Sequence, residues 1–140
     1  MKKIITILLV LGISLNTYSQ TWNEIFSNDM VTVETTVVEC NPTNKQYPFS
    51  YLLIKYTNKT SEIVNFEFEY ELYYNDVLHP HVGTDAGDEP AIKHVELQPN
   101  EVREGDCRLH SETYRIFYKN NHPKMDQKLT QITLKEHKTK

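Results

Sequence analysis

Along residues 64–76, VNFEFEYELYYND, apolar and polar side chains change places at nearly every step. Val64, Phe66, Phe68, Tyr70, Leu72 and Tyr74 fall on one parity, and Asn65, Glu67, Glu69, Glu71, Tyr73 and Asn75 on the other. Side chains of a β-strand point alternately to its two faces, so this pattern predicts a half-buried strand. Phe66, Phe68, Tyr70 and Leu72 are expected in a core, and Glu67, Glu69 and Glu71 on an acidic outer face. Period-2 patterning, with frequent β-branched and aromatic residues, recurs through the chain, and no window holds a convincing 3.6-residue period.

Strands are predicted over 30–40, 47–57, 63–74, 77–82, 91–97, 102–110, 114–119 and 129–136, with turn-forming residues between them. In 30–40 the apolar parity slips. Val31, Val33 and Val37 share one face while Val38 and Cys40 share the other, which predicts a bulge or a strand that switches sheets. Asn75-Asp76 is expected as a tight hairpin turn. Pro80 assigns 77–82 to a sheet edge. Residues 22–28 read as a short helical turn or an N-terminal arm, with Trp22 or Phe26 capping the core. About seven or eight short strands at such spacing predict an all-β, antiparallel sandwich or barrel in a single domain.

The first nineteen residues stand apart. Met1-Lys2-Lys3 is a short basic start, residues 4–15 are an apolar run, and Thr17 and Ser19 are small residues two apart. This reads as a cleaved signal peptide over 1–19, leaving 20–140 as the β-domain. The apolar run is short for a bilayer span, and no second one follows, so no integral membrane span is expected in the mature chain. The full chain has a net charge of −4, and loss of Lys2 and Lys3 makes it more acidic still. That balance argues against nucleic acid and anionic lipid as partners. An exported chain with two cysteines, Cys40 and Cys107, reads as disulfide-bonded. Cys107 as a reactive thiol served by His110 is the rival reading. A bridge between an early and a late strand would staple two sheets across the core.

The segment VELQPNEVREGDC, residues 95–107, resembles the stretch of immunoglobulin-like and fibronectin-type domains in which a strand ends, a Pro-containing corner turns and the next strand starts near a glycine. Residues 51–70, YLLIKYTNKTSEIVNFEFEY, likewise look like paired strands of such domains. The short Lys-Lys leader ending in Ser-Gln, on a chain rich in Asn, Lys, Ile and Tyr, is similar to small exported proteins of Bacteroidetes-type bacteria. The resemblance implies an immunoglobulin-like sandwich and carries no activity with it.

Candidate chemistry is sparse. The three glutamates are expected as a solvated face, offset by cross-strand lysines such as Lys55, or else as a surface for a basic partner or cations. HPHVGTDAGDEPAIKH offers His79, His81, Asp85, Asp88, Glu89 and His94 within sixteen residues, a candidate Zn²⁺ or Ca²⁺ site that matches no established metal-loop spacing. No cofactor is otherwise implied. Nucleophile-elbow, zinc-protease, P-loop and dinucleotide motifs are absent from the sequence. Tyr47, Tyr51, Tyr73, Tyr114 and Tyr118 cannot all be core on these parities, and exposed rings can stack on sugars or anchor a protein. Asn58-Lys59-Thr60 matches a glycosylation sequon, discounted because the leader looks bacterial. The expected role is a secreted or periplasmic non-catalytic binding module for a protein or glycan of the cell envelope. A metal-dependent binding protein, and a small hydrolase or hydrolase inhibitor, are the alternatives.

Overall fold

A computed structural model describes residues 20–40, 49–79, 91–121, 124 and 126–140. Its described residues form nine strands and no helix, all pairings are antiparallel, and the strands make two sheets. The strands are β1 (Asn23–Ser27), β2 (Val31–Cys40), β3 (Phe49–Asn58), β4 (Val64–Tyr74), β5 (Val77–His79), β6 (Lys93–Leu97), β7 (Val102–Glu104), β8 (Arg115–Asn120) and β9 (Leu129–Thr139). The architecture is therefore the predicted all-β sandwich, with slightly more strands than expected. The additional one is β1, an edge strand on β2 where a helical turn or arm was expected. Its Phe26 ring lies 5.5 Å from Phe66 of the other sheet, so it does cap the core.

Each sheet is built around one long strand. In the first sheet, β3 pairs along its whole length with β2 and on its other side with β7 and then β8. In the second, β4 pairs with β9 on one side and with β5 and β6 on the other. The chain crosses between sheets after β3, β6 and β8. The β3–β4 segment is thus a crossover, correcting the expectation that these strands pair. Both strands carry large apolar side chains on the face that meets the other sheet. Side by side in one sheet, neither could cover the other.

Alternation places the core. Val31, Val33, Leu52, Ile54, Tyr56 and Ile116 from one sheet meet Val64, Phe66, Phe68, Tyr70, Leu72, Val95, Leu97, Leu129 and Leu134 from the other, all buried. Phe66, Phe68 and Tyr70 form a ladder with ring centroids 4.8 and 5.0 Å apart. Tyr56 packs onto Phe68 at 5.7 Å across the interface. Burying side chains of this size stabilises by roughly 1.5–3 kcal/mol each, the main favourable contribution to the fold.

The parity slip in β2 has another cause than the bulge or sheet switch expected. Its register with β3 is unbroken from Val31↔Asn58 to Cys40↔Phe49. Val31, Val33 and Thr35 face the core, whereas Thr36, Val38 and Cys40 lie on the outer face. Thr36 and Cys40 are nevertheless buried there with Leu53, so this end of the sheet is covered on both faces.

The Asn75-Asp76 turn is as predicted. Both residues have positive φ (49° and 65°), as a two-residue hairpin turn requires, and Tyr74 pairs with Val77 across it. At the opposite end, Asn58 pins two crossovers together. Its Nδ2 donates to the carbonyls of Glu62 (2.7 Å) and Gln98 (2.8 Å), and its Oδ1 accepts from the Thr60 amide (2.8 Å). The sequon asparagine is therefore a buried corner pin, 2% exposed, rather than a surface acceptor.

Candidate functional site

The disulfide pairs Cys40 with Cys107, as expected, with a Cα–Cα distance of 5.6 Å. Its position differs from expectation. β7 ends at Glu104, so Cys107 is not on a strand, and the bridge stays within one sheet's territory instead of stapling two. Ile54 accepts from the Gly105 amide at 2.8 Å, and its own amide donates to the Tyr114 carbonyl at 3.0 Å. β7 and β8 are thus one interrupted strand along β3. Between the pinched residues 105 and 114 the chain makes an eight-residue excursion, 106–113. A Cβ on Gly105 would lie 2.0 Å from the Tyr114 carbonyl oxygen, so glycine permits the pinch. The bridge ties this excursion to the outer-face end of β2.

Internal bonds hold the excursion in shape. The Asp106 carboxylate accepts from the Arg108 and Leu109 amides (2.7 and 3.0 Å) and from the Arg108 guanidinium (3.1 Å). The Arg108 amide first, then its side chain, hold the Asp106 carboxyl below its ordinary range against slight desolvation. At the far end the Thr113 carbonyl accepts from Tyr56, whose oxygen lies 2.8 Å from that of Tyr70. The Lys93 ammonium, its side chain 1% exposed, reaches Glu112 at 3.2 Å and so links the second sheet to the excursion.

Beside the excursion lies a cluster of rings and cations that sequence reasoning did not assemble. The Arg115 guanidinium sits 4.2 Å over the Tyr51 ring, donates to the Cys107 carbonyl and contacts His110 Nδ1 at 2.9 Å. Tyr51 and Phe117 meet edge to face at 6.0 Å, and Phe49 lies 6.2 Å from Phe117. Tyr74 of the other sheet donates its hydroxyl to the Phe117 carbonyl at 2.7 Å. Burial, then the Glu112 charge, push the Tyr74 phenol up to about 12. The available signal was Arg115 itself, a charge inside YRIFY. Only the register Tyr51↔Phe117 and Leu53↔Arg115 brings its partners together.

The acidic face projects outward from β4, and its partners are not those expected. Lys55 belongs to the other sheet, where it pairs with Glu34 at 2.7 Å beneath the Trp22 ring. Glu69 instead meets Lys135 and His137 of β9, both at 3.3 Å. A register shift between Glu67 and Phe68 bulges β9 here and turns His137 toward Glu69. Desolvation is the largest single influence on Glu69 and opposes its ionisation, but hydrogen bonds from Lys135 and His137 together with their charges outweigh it and hold the carboxyl below its usual range. Glu67 has His94 at 3.9 Å. Glu71 stands opposite Thr133. The face is a partly paired mosaic of both signs.

Of the six residues in the candidate metal segment, His81, Asp85, Asp88 and Glu89 lie outside the described residues, as does Tyr47. His79 stands opposite Leu72 and His94 opposite Glu67, hence on opposite faces of the sheet. Five residues of strand separate them, roughly 17 Å at the usual rise. His79 and His94 therefore do not converge on one ion. His79 instead packs edge-on against Tyr74 at 5.5 Å. Among the described residues no three His, Cys, Asp or Glu side chains are grouped to hold a metal. Cys107, being bridged, offers no thiol to His110.

The tyrosines divide as the parities require. Tyr51 and Tyr118 are half-buried beneath Arg115 and Lys128, and Tyr114 packs edge-on against Tyr56 while accepting from Arg103 at 3.3 Å. No helix among the described residues is long and apolar enough to cross a membrane. That and the disulfide are compatible with an extracellular or periplasmic location. Compared with protein-family models, with curated proteins and with solved structures, the chain matches none.

Proposed function

We propose that this protein is a non-catalytic binding module, exported through its N-terminal segment to the periplasm or the cell exterior, whose ligand is a protein or glycan of the envelope. One observation carries this reading. The single disulfide does not reinforce the core but fixes the 106–113 excursion against the outer face of a sheet. Binding residues are disproportionately carried by loops that a rigid scaffold positions. A loop fastened covalently, braced by Asp106 at one end and by Tyr56 and Lys93 at the other, is held ready to present its side chains. The three crossings between sheets and the Pro99 corner are in keeping with an immunoglobulin-like architecture. The bridge, however, does not take the inter-sheet position usual in antibody domains.

The test is retention. The purified full chain, immobilised and challenged with envelope extract, should hold a component that a variant lacking both Cys40 and Cys107 holds poorly, although that variant stays folded. Equal retention by both proteins would remove the argument from the disulfide. A metal-dependent role is checked by thermal melts in EDTA, Ca²⁺ and Zn²⁺. An ion at 100 times its Kd would add about 2.7 kcal/mol, so with His79 and His94 on opposite faces we expect the three melts to coincide.

A further inference from the structure

The chain has three arginines, and one is set differently from the others. Arg103 is paired with Glu101 at 2.8 Å and Arg108 with Asp106 at 3.1 Å. Arg115 has no carboxylate partner among the described residues. Its neighbours are instead the Tyr51 ring at 4.2 Å, the Cys107 carbonyl and His110 Nδ1 at 2.9 Å.

A guanidinium presents five N–H donors in a planar fork and accepts nothing. His110 Nδ1 must therefore be the acceptor in its bond with Arg115, which places the imidazole hydrogen on Nε2. Two guanidinium donors are engaged, and the others have no acceptor among the described residues. The cation is also immobilised, since Tyr51 supports its face and the disulfide fixes the carbonyl that orients it. Holding a receptor group in its binding geometry beforehand lowers the entropic cost of association.

We infer that Arg115, framed by Tyr51 and His110, is a binding site for a carboxylate carried on a sugar ring, that is, a uronic-acid unit of an acidic glycan. The planar fork matches a carboxylate in bidentate fashion. Phe117, half-buried beside Tyr51, offers apolar surface to the C–H face of the attached ring. An inorganic phosphate would meet the same fork but leave the apolar surface beside Tyr51 uncovered. The inference rests on the binding-module reading and gives it a ligand class.

The experiment is a calorimetric titration of the full chain, as purified from expressing cells, with a galacturonic-acid trimer and with the neutral galactose trimer. The acidic trimer should bind at least tenfold more tightly. Arg115→Met, which keeps the stem and loses the fork, should abolish that preference, and Arg115→Lys should lose most of it. Lys128→Met, altering a lysine that lies over Tyr118, should leave it unchanged. Melting curves of each variant separate lost binding from lost folding. Equal affinity for the two trimers, or a preference that survives Arg115→Met, overturns the site. So does competition by inorganic phosphate or acetate at the concentration of the trimer, since the ring would then contribute nothing. Tighter binding of a peptide's free C-terminal carboxylate overturns it too. If Arg115→Met still retains the wild-type envelope component, this site falls while the module reading stands. If the wild type binds neither trimer nor envelope component, both fall.

Discussion

Tyr56 and Tyr70 show how much one hydrogen atom decides. A phenol has a single hydrogen, and that of Tyr56 goes to the Thr113 carbonyl, so Tyr70 must be the donor in the contact between the two hydroxyls. The chain runs from Tyr70 to Tyr56 to Thr113, from one sheet across the core to the excursion. The two phenylalanine substitutions are therefore not equivalent. Tyr70→Phe removes one donor and leaves the Tyr56 bond intact, a loss of about 0.5–1.5 kcal/mol. Tyr56→Phe removes both the acceptor of the Tyr70 hydroxyl and the donor to the Thr113 carbonyl, and the carbonyl left unsatisfied in the interior costs about 1–3 kcal/mol by itself. Urea denaturation of both variants checks the order. A larger loss for Tyr70→Phe would reverse the assigned donor.

At the scale of elements, what was legible in the sequence was whatever alternation alone determines. The faces of β4 follow from parity, because one face is buried and the other wet. The hairpin turn at Asn75-Asp76 follows from residues that tolerate positive φ. The sheet to which each strand belongs did not follow. β3 and β4 are adjacent in sequence with apolar alternation in both, and nothing local distinguishes a hairpin from a crossover. The excursion was hidden for a related reason. VREGDC reads as continuing strand, and only the approach of Gly105 to Tyr114, nine positions on, ends it. Gly105→Ala tests that account. With no room for a Cβ, overpacking should cost roughly 1–3 kcal/mol and weaken the β7–β8 edge, seen as faster amide exchange at Gly105 and Ile54. A silent substitution would mean the pinch is not tight. The bridge closes over a separation of 67 residues, for which chain entropy gives up to about 4 kcal/mol. Thiol titration of denatured, unreduced protein should find no free thiol, and reduction should lower the urea midpoint.

For the whole molecule, stability should fail at both ends of the pH scale for different reasons. Burial first, then the neighbouring phenols, raise Tyr56 well above its ordinary value, and burial likewise raises Tyr70 and Tyr74. These groups stay neutral in the fold while the unfolded chain ionises near pH 10. Their contribution is thus complete below about pH 10 and declines as pH rises past it. Glu69, Glu101 and Asp106 are shifted the other way, Glu101 chiefly by the Gln98 amide and then by Arg103. Their contribution is complete above the unfolded carboxylate value of about 4 and is lost as pH falls through the lower folded value. Tyrosinate absorbance should therefore show buried phenols ionising together with alkaline unfolding. Their independent titration in the folded protein would contradict the hydrogen-bonded chain across the core.

The corner built on Asn58 has a practical consequence for anyone producing this protein. Its side-chain nitrogen belongs to an Asn-Lys-Thr triplet that the secretory machinery of a eukaryotic host recognises, yet in the finished fold that nitrogen is spent on two backbone carbonyls. An oligosaccharide attached during synthesis would meet no room at the junction of two crossovers, and the chain bearing it could not close that corner. Production in such a host would then divide the yield, with unmodified chains reaching the native sandwich and modified ones held back by quality control. A bacterial host without that machinery avoids the competition.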